Sequence, residues 1–493
     1  MKMKKRWMIP ALAMACVLSG SAAVSGSEEI YDGGKILDPE NPVTITIWHY
    51  YNGAHQAAFD KLVEEFNSTV GRDLGIYVED YSKGSVADLE TAISDSASGA
   101  IGADKMPDLF SSYTDTAFEL QKKDVLADLR KYFTEEELEK YVDSYVEEGE
   151  FAGDGCLYVF PVAKSTEITM MNETDWKPFA EATGASLEDF DTMEGIVKLA
   201  EMYYNWTDEK TPDIPDDGKA FYGRDSMSNY FLIGMKQLGI DMFEKKDGVV
   251  TLHADKDAVR KLWENYYVPY VKGYFVSYGR FASDDVKTGD SLVYTGSTAS
   301  SMYFPDKVEL DDESYPIDYA ICNAPVFEGG DVIRVQQGAG MAMVKSDEQK
   351  EYAGSIFLKW FTQNENNLKF GAESGYLPVC KDANKTETLD QVIAEEELQI
   401  APKTYDCLSK IMDQFEDIEF YVSPCFDNGY SARKILDYNL RDKAVADKAA
   451  IDALTEEGVA REEAAAPYIT EEAFEVWYEA FVNDLSEAVE TKE

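Results

Sequence analysis

The sequence predicts an α/β fold in two lobes, and three observations carry that expectation. Val43, Thr44, Ile45, Thr46, Ile47 and Trp48 form a β-branched run without helical spacing, bounded by Pro42 and by Asn52-Gly53, which reads as a buried strand. Directly after it Phe59, Leu62, Val63, Phe66 and Val70 recur at helical spacing, so strand, loop and helix follow one another as in an open parallel sheet. Beyond the short runs Leu157 to Pro161 and Ile168 to Met171 the texture turns more helical, which a second lobe explains economically.

Taken from the start, Lys2, Lys4, Lys5 and Arg6 precede an apolar run from Trp7 to Leu18 and small residues from Ser19 to Ser27. This is the layout of a secretory signal over residues 1–25; the run is too short, and broken by Pro10, for a membrane anchor. Cleavage after Ala23 or Ser25 would release a soluble product. Cleavage before Cys16 would leave a lipoprotein with a diacylated cysteine, although Ala13 stands where Leu is usual; both routes stay open. Residues 26–41 are polar, rich in Gly, Pro and Asp, and read as a linker.

A second strand is expected at Ile76 to Asp80, then a helix carrying Val86, Leu89 and Ile93, and a third strand from Pro107 to Phe110 running into the polar loop Ser111 to Asp115. Thr134 with Glu137 forms a capping box ahead of Leu138, Tyr141, Val142 and Tyr145, spaced as one amphipathic helix. Val162 to Glu167 reads as a crossing between lobes. Asp191-Thr192 caps a helix bearing Met193, Ile196, Val197 and Ala200; Val259 to Tyr274 is an aromatic-rich helix. Ser291 to Met302 is a strand with a small-residue turn. Ile317 to Val326 and Val332 to Val344 read as two strands of a hairpin around Phe327 to Asp331. Lys350 to Phe370 is a helix with Ala353, Ile356, Phe357 and Trp360 inward, and the last hundred or so residues are mostly helical and acidic.

Composition narrows the function. The formal charge is −48, moving to about −52 once the four leader cations are removed, so nucleic acid and anionic membranes are unsuited as partners. Cys156, Cys322, Cys380, Cys407 and Cys425 are scattered and lack Cys-x-x-Cys spacing; one or two bridges at most are expected, with Cys407 and Cys425 the close pair and five buried thiols the plainer reading. With only His49, His55 and His253, no metal site is expected, and nothing calls for a cofactor.

Val43 to Gly53 with its helix, Pro107 to Asp115, Phe160 to Asn172, Asp290 to Ser301 and above all Ala324 to Val379 are the specific blocks. The last contains a Gly-Ala-Gly run, the helix AGSIFLKWFT and the terminal GYLPV. In this order they resemble the family 1 extracellular solute-binding proteins of ABC importers, the group that contains maltose-binding protein. The resemblance implies a type II periplasmic-binding-protein-like fold, with lobe 1 over residues 42–162 and 318–378 and lobe 2 over residues 163–317 and 379–493. It further implies a ligand cleft between lobes that close by hinge motion, delivery to membrane permease subunits, and a monomer exported to the outer face of the cytoplasmic membrane or secreted.

A neutral sugar needs aromatic faces for its apolar patches and short polar groups for its hydroxyls. The positions the resemblance assigns to ligand are Tyr50 and Asn52 after the first strand, Thr114 and Asp115 in the third-strand loop, Lys164 and Ser165 at the crossover, Ser297 and Thr298 in the lobe 2 turn, Gln337 and Gly338, Tyr376 in GYLPV, and Arg433. Each has a plainer role beside it: Tyr376 packs, Asp115 caps a helix at Thr116, and the glycines near Gly338 let the hinge pack closely. Trp48 is expected in the core. Ser297-Thr298 stands where maltodextrin-binding relatives carry Pro-Trp, so a stacking platform is missing there. Tyr50, Gly338, Tyr376 and Arg433 also match positions used by relatives that bind glycerol phosphate esters, Arg433 suiting a phosphate. An exported carbohydrate-active enzyme or a glycan adhesin is the rival. With 94 acidic residues a carboxylate pair can always be nominated, but no Gly-x-Ser-x-Gly elbow, His-Glu-x-x-His helix or phosphate loop is present.

Overall fold

The computed structural model describes residues 36–246 and 248–490. The expected signal over residues 1–25, Cys16 within it, and the linker as far as residue 35 lie outside the described residues.

β1 (Val43–His49) sends Ile45 and Ile47, both fully enclosed, into the core, and α1 (Gly53–Ser68) covers them with Phe59, Leu62, Val63 and Phe66. β2 (Ile76–Ser82) lies parallel to β1 on one side, and after α2 (Val86–Ser98), capped by Ser85, β3 (Leu109–Ser112) lies parallel on the other. α3 (Thr114–Gln121) follows β3 almost without a loop, so the expected polar loop is largely strand end and helix start.

The capping box at Thr134 and Glu137 forms, but its helix stops after Glu135–Leu138 and the chain re-enters a helix only at α4 (Asp143–Gly149). Helical spacing loses there to a tertiary pairing: Tyr141 bridges Cys380, and the Val142 amide donates to the Val379 carbonyl at 3.0 Å.

β4 (Val159–Phe160) ends the first pass through the sheet of lobe 1 and β5 (Glu167–Asn172) begins the sheet of lobe 2, with the crossing between them. There follow α5 (Met193–Asp208), capped by Thr192 as expected, β6 (Tyr222–Arg224), α6 (Met227–Gln237), α7 (Lys256–Val271), capped by Asp255, and β7 (Val293–Ser297). Then come β8 (Tyr319–Asn323), β9 (Ile333–Val335), β10 (Gly340–Met343), α8 (Glu348–Phe361), α9 (Asn364–Ser374), β11 (Glu419–Tyr421), α10 (Gly429–Glu456) and α11 (Glu471–Val489).

Two sheets organise the molecule: β2-β1-β3-β10-β4 in one lobe and β8-β5-β7-β6 in the other. The first three strands of lobe 1 are parallel, and β10 runs antiparallel to both β3 and β4. The expected hairpin does not form. β8 pairs with β5 in lobe 2, β9 pairs with β11, and β10 returns to lobe 1, so Phe327 to Asp331 sits within a second crossing. Alternation along a strand fixes its faces but not its partner, and here the two runs belong to different sheets. The return to lobe 1 therefore comes after β8, later than residue 318. Residues after 379 do not all join lobe 2 either, since Leu389 and Val392 lie on a helix that packs against α9, which carries Leu368 and Phe370.

The crossings lie side by side. Lys164 and Leu377 exchange backbone hydrogen bonds at 3.0 and 2.6 Å, and Ser165 and Gln337 exchange them at 2.8 and 3.0 Å. Gly338 permits this approach: its φ is +99°, and a Cβ there would stand 2.7 Å from the Ala163 carbonyl oxygen. The close-packing role foreseen for this glycine is the one it plays.

Cys156, Cys322, Cys380, Cys407 and Cys425 are free thiols, three of them buried and Cys156 and Cys322 half-buried, and the nearest candidates, Cys407 and Cys425, do not bridge.

Candidate functional site

Between the lobes lies a cavity of about 410 Å³ at the carboxyl end of β3, where open α/β sheets place their ligands. Lobe 1 contributes Tyr113, Thr114 and Asp115 from the β3–α3 junction, Glu90 from α2 and Glu148 from α4. Lobe 2 contributes the first turn of α6, with Ser226, Ser228 and Asn229. Gln336 and Gln337 form the back wall, and α10 closes a side with Tyr430, Arg433, Asp437 and Tyr438, joined by Tyr421.

Local folding explains these positions. α3 begins at Thr114, so Asp115 lies in its first turn, where the helix dipole favours an acid, and Tyr113 occupies the cap position instead. The Asp115 carboxylate is 3.8 Å from the Arg433 Nε across the lobe boundary. Burial pushes the Asp115 carboxyl above the usual range, and the Arg433 charge opposes this. Glu90 is likewise raised by burial, and accepts a hydrogen bond from the Thr116 hydroxyl at 3.1 Å. Ser226 caps α6, and the Asp437 carboxylate accepts from the Ser228 amide at 2.7 Å, which pins α10 onto the start of α6.

Two enclosed polar networks connect the crossings to the cavity. In the first, the Lys164 ammonium, only 2% exposed, donates to Glu148 at 2.6 Å and to the Gly338 carbonyl at 3.0 Å, while Gln336 also donates to Glu148. In the second, Arg224 donates to both Glu167 oxygens at 3.1 Å, and the Asn229 amide donates to Glu167 at 3.0 Å and to the Gln337 side-chain oxygen at 2.9 Å. Each network joins a crossing segment to a cavity wall.

Of the twelve candidates from the sequence, Thr114, Asp115, Gln337 and Arg433 line the cavity. Tyr50 and Tyr376 stand one layer back: their hydroxyls are 3.3 Å apart, and the Tyr50 ring stacks on Tyr113 at 6.4 Å. Burial raises the pKa of all three phenols, so they stay neutral. Lys164, Ser165 and Gly338 hold the crossings together. Three candidates lie elsewhere. Asn52 is exposed and donates to the Gly84 carbonyl at 3.0 Å. Ser297 caps the turn Thr298–Tyr303, and Thr298 is wholly buried within it, because the turn packs against Gly375 and Cys407 and away from the cavity. Asp115 is not the helix cap, and Trp48 is 5% exposed, with the Lys83 ammonium 3.6 Å from its ring centroid.

Sequence reasoning missed Tyr113, Glu90, Glu148, the Ser226 to Asn229 turn and most of the α10 face. Tyr430, Arg433 and Asp437 sit at i, i+3 and i+7, a spacing that marks one helix face and was readable beside Arg433. Glu90 and Glu148 carried no local signal, since each is one acid among many.

No helix among the described residues is long and apolar enough to cross a membrane. Solved structures share the fold. The cyclic alpha-maltosyl-1,6-maltose binding protein from Arthrobacter globiformis aligns with a TM-score of 0.63 at 17% identity, over 91% of this chain and 99% of its own. UgpB from Mycobacterium tuberculosis, in complex with glycerophosphocholine, aligns with a TM-score of 0.63 at 18% identity, over 91% of this chain and 100% of its own. The maltose/maltodextrin-binding domain MalE from Bdellovibrio bacteriovorus, bound to maltotriose, aligns with a TM-score of 0.60 at 13% identity, over 90% of this chain and 100% of its own. No curated protein matches the sequence. The family model of the bacterial extracellular solute-binding proteins matches residues 61–399, more than half of the chain, and the chain belongs to that family.

Proposed function

We propose that this protein captures a neutral carbohydrate between its lobes, closes over it by hinge motion, and delivers it to the permease of an ABC importer without covalent chemistry. The observation that carries the reading is the make-up of the cavity wall: tyrosine rings interleaved with hydroxyls, side-chain amides and the Asp115 carboxylate, which suits a ligand with apolar faces and many hydroxyls. Asp115, Thr114, Asn229 and Gln337 supply the polar contacts, Tyr113 and Tyr430 the faces, and Tyr50 with Tyr376 supports Tyr113 from behind. The structural relatives that bind maltosyl-maltose and maltotriose support a sugar. Export follows from membership of an extracellular family; retention through Cys16 or free secretion are the two ways the leader allows.

Glycerol phosphate esters are the second reading, motivated by Arg433 and by the likeness to UgpB. Charge argues against it: four carboxylates, Glu90, Asp115, Glu148 and Asp437, line the cavity beside one cation, Arg433, which already faces Asp115. Calorimetric titration of the mature protein with mono- and oligosaccharides, glycerol phosphate and its diesters separates the two. A sugar should bind, and Asp115→Asn should weaken it about 10- to 100-fold, the worth of a hydrogen bond to a charged acceptor. Binding of phosphate esters alone, abolished in Arg433→Ala, would keep the importer role and overturn the sugar. Turnover of the added sugar would overturn the role of binder.

A further inference from the structure

Away from the cleft, three side chains that the binding reading leaves unused meet between α1 and the edge of the lobe 1 sheet. His49 ends β1 and points to the face already carrying Ile45 and Ile47, with its ring 4.8 Å from Phe59 of α1. Asp80 on β2 pairs with Ile47, so its side chain stands on the same face. Asp60 follows Phe59 on α1 and reaches the same place from the helix side. One ligand atom from each of the three lies within 4.8 Å of the others.

The internal bonding of this trio is incomplete. His49 is fully enclosed against Phe59 and Tyr51, its one side-chain hydrogen bond is Nε2 with the Asp80 carboxylate at 3.4 Å, and its Nδ1 has no partner. The buried Oδ1 of Asp60 also has none. Two carboxylates brought together beside one imidazole repel unless something positive stands between them, and enclosed polar atoms without partners are costly. The geometry points to a divalent cation site formed by His49, Asp60 and Asp80, with zinc(II) as the ion it fits best. An imidazole with two carboxylate oxygens is a borderline nitrogen and oxygen donor set of the kind zinc takes, with water completing the shell. Zinc holds such donors at about 2.0–2.2 Å, so a small rotation of Asp60, which lies at the half-exposed edge, draws the three atoms into range. The bound ion clamps α1 and the edge strand β2 onto β1, directly below Tyr50 and Tyr51, and it stabilises lobe 1 without touching the cleft.

The test uses the whole mature protein, stripped with chelator, incubated with zinc chloride and dialysed. One zinc per chain should remain by mass spectrometry, the unfolding midpoint should rise, and cobalt(II) in its place should give a visible absorption band from nitrogen and oxygen ligation. Asp60→Asn should weaken zinc retention by about 100-fold or more, beyond what loss of a supporting contact costs, while leaving sugar affinity unchanged. His49→Gln should abolish the cobalt band. Should that variant fail to fold, Asp60→Asn decides alone. Equal zinc content and equal midpoints in wild type and Asp60→Asn would mean that only the acidic surface collects the ion, and no retained zinc would mean that the trio holds a shared proton instead; either overturns the site.

Discussion

Removing the Lys164 ammonium should unfold the hinge far more readily than removing the whole ion pair. At 2.6 Å from Glu148 the attraction is about 6 kcal/mol at an effective dielectric of ~20. Against it stands the loss of hydration of two ions that are 2% and 9% exposed, several kcal/mol each, so the pair together contributes little net stability. Lys164→Met, however, leaves the Glu148 carboxylate enclosed with Gln336 as its remaining side-chain donor, and costs about 3–5 kcal/mol. For a cooperative unit the size of one lobe that lowers the unfolding midpoint by roughly 10 °C. The Lys164→Met, Glu148→Gln double variant removes both charges, keeps an amide for Gln336 to meet, and should return to within about 1 kcal/mol of wild type. Urea unfolding of the ligand-free protein, followed by far-ultraviolet circular dichroism, measures all four corners of the cycle. A Lys164→Met loss under about 1 kcal/mol, or a double variant as unstable as the single one, would show that the uncompensated buried charge does not set the cost.

Three other outcomes follow from the same structure. Burial pushes Asp225 up from an ordinary 3.8 to about 6, with its hydrogen bond from the Ala282 amide opposing. The folded state thus keeps a proton that the unfolded chain releases; this contribution is full below about pH 4 and is lost as pH rises through 6. Asp225→Asn should match wild type at pH 4 and exceed it by up to about 3 kcal/mol at pH 7; parallel profiles would contradict this. Gly338→Ala, with φ at +99° and Ala163 O 2.7 Å from the new Cβ, should cost at least about 2 kcal/mol and alter ligand affinity by displacing the crossings, whereas Gly329→Ala, in open space though also at positive φ, should cost only the backbone strain. Because Cys156, Cys322, Cys380, Cys407 and Cys425 are free thiols, reductant should leave the unfolding midpoint unchanged, and denatured protein should titrate all five.

Much of the fold was legible because it is encoded over a few residues. β1 was readable from its β-branched run, α1 from the spacing of Phe59, Leu62, Val63 and Phe66, and the starts of several helices from Ser, Thr and Asp caps. The hairpin expectation failed because alternation in Ile317 to Val326 and Val332 to Val344 is satisfied equally by any partner strand, and the partners are β5, β11 and β3. The helix expected over Leu138 to Tyr145 failed because Val379 and Cys380, more than two hundred residues away, claim its middle. The site was half legible. Thr114, Asp115, Gln337 and Arg433 surround the cavity, but Glu90, Glu148 and Asn229 could not be told from many similar residues until burial singled them out.

By itself the sequence determined most of the local elements, the strongly acidic charge, and through its ordered blocks the family. Tertiary structure alone decided which strands share a sheet, where the chain returns between lobes, which acids face the cleft, and that His49, Asp60 and Asp80 meet. The physical reason is the range of the interactions. Helical and strand periodicity, caps and turns act within a few residues and leave a pattern in the string. Strand partnership and the meaning of a charge depend on what long-range packing removes from water, and a carboxylate such as Glu148 becomes consequential only once the fold has enclosed it beside Lys164.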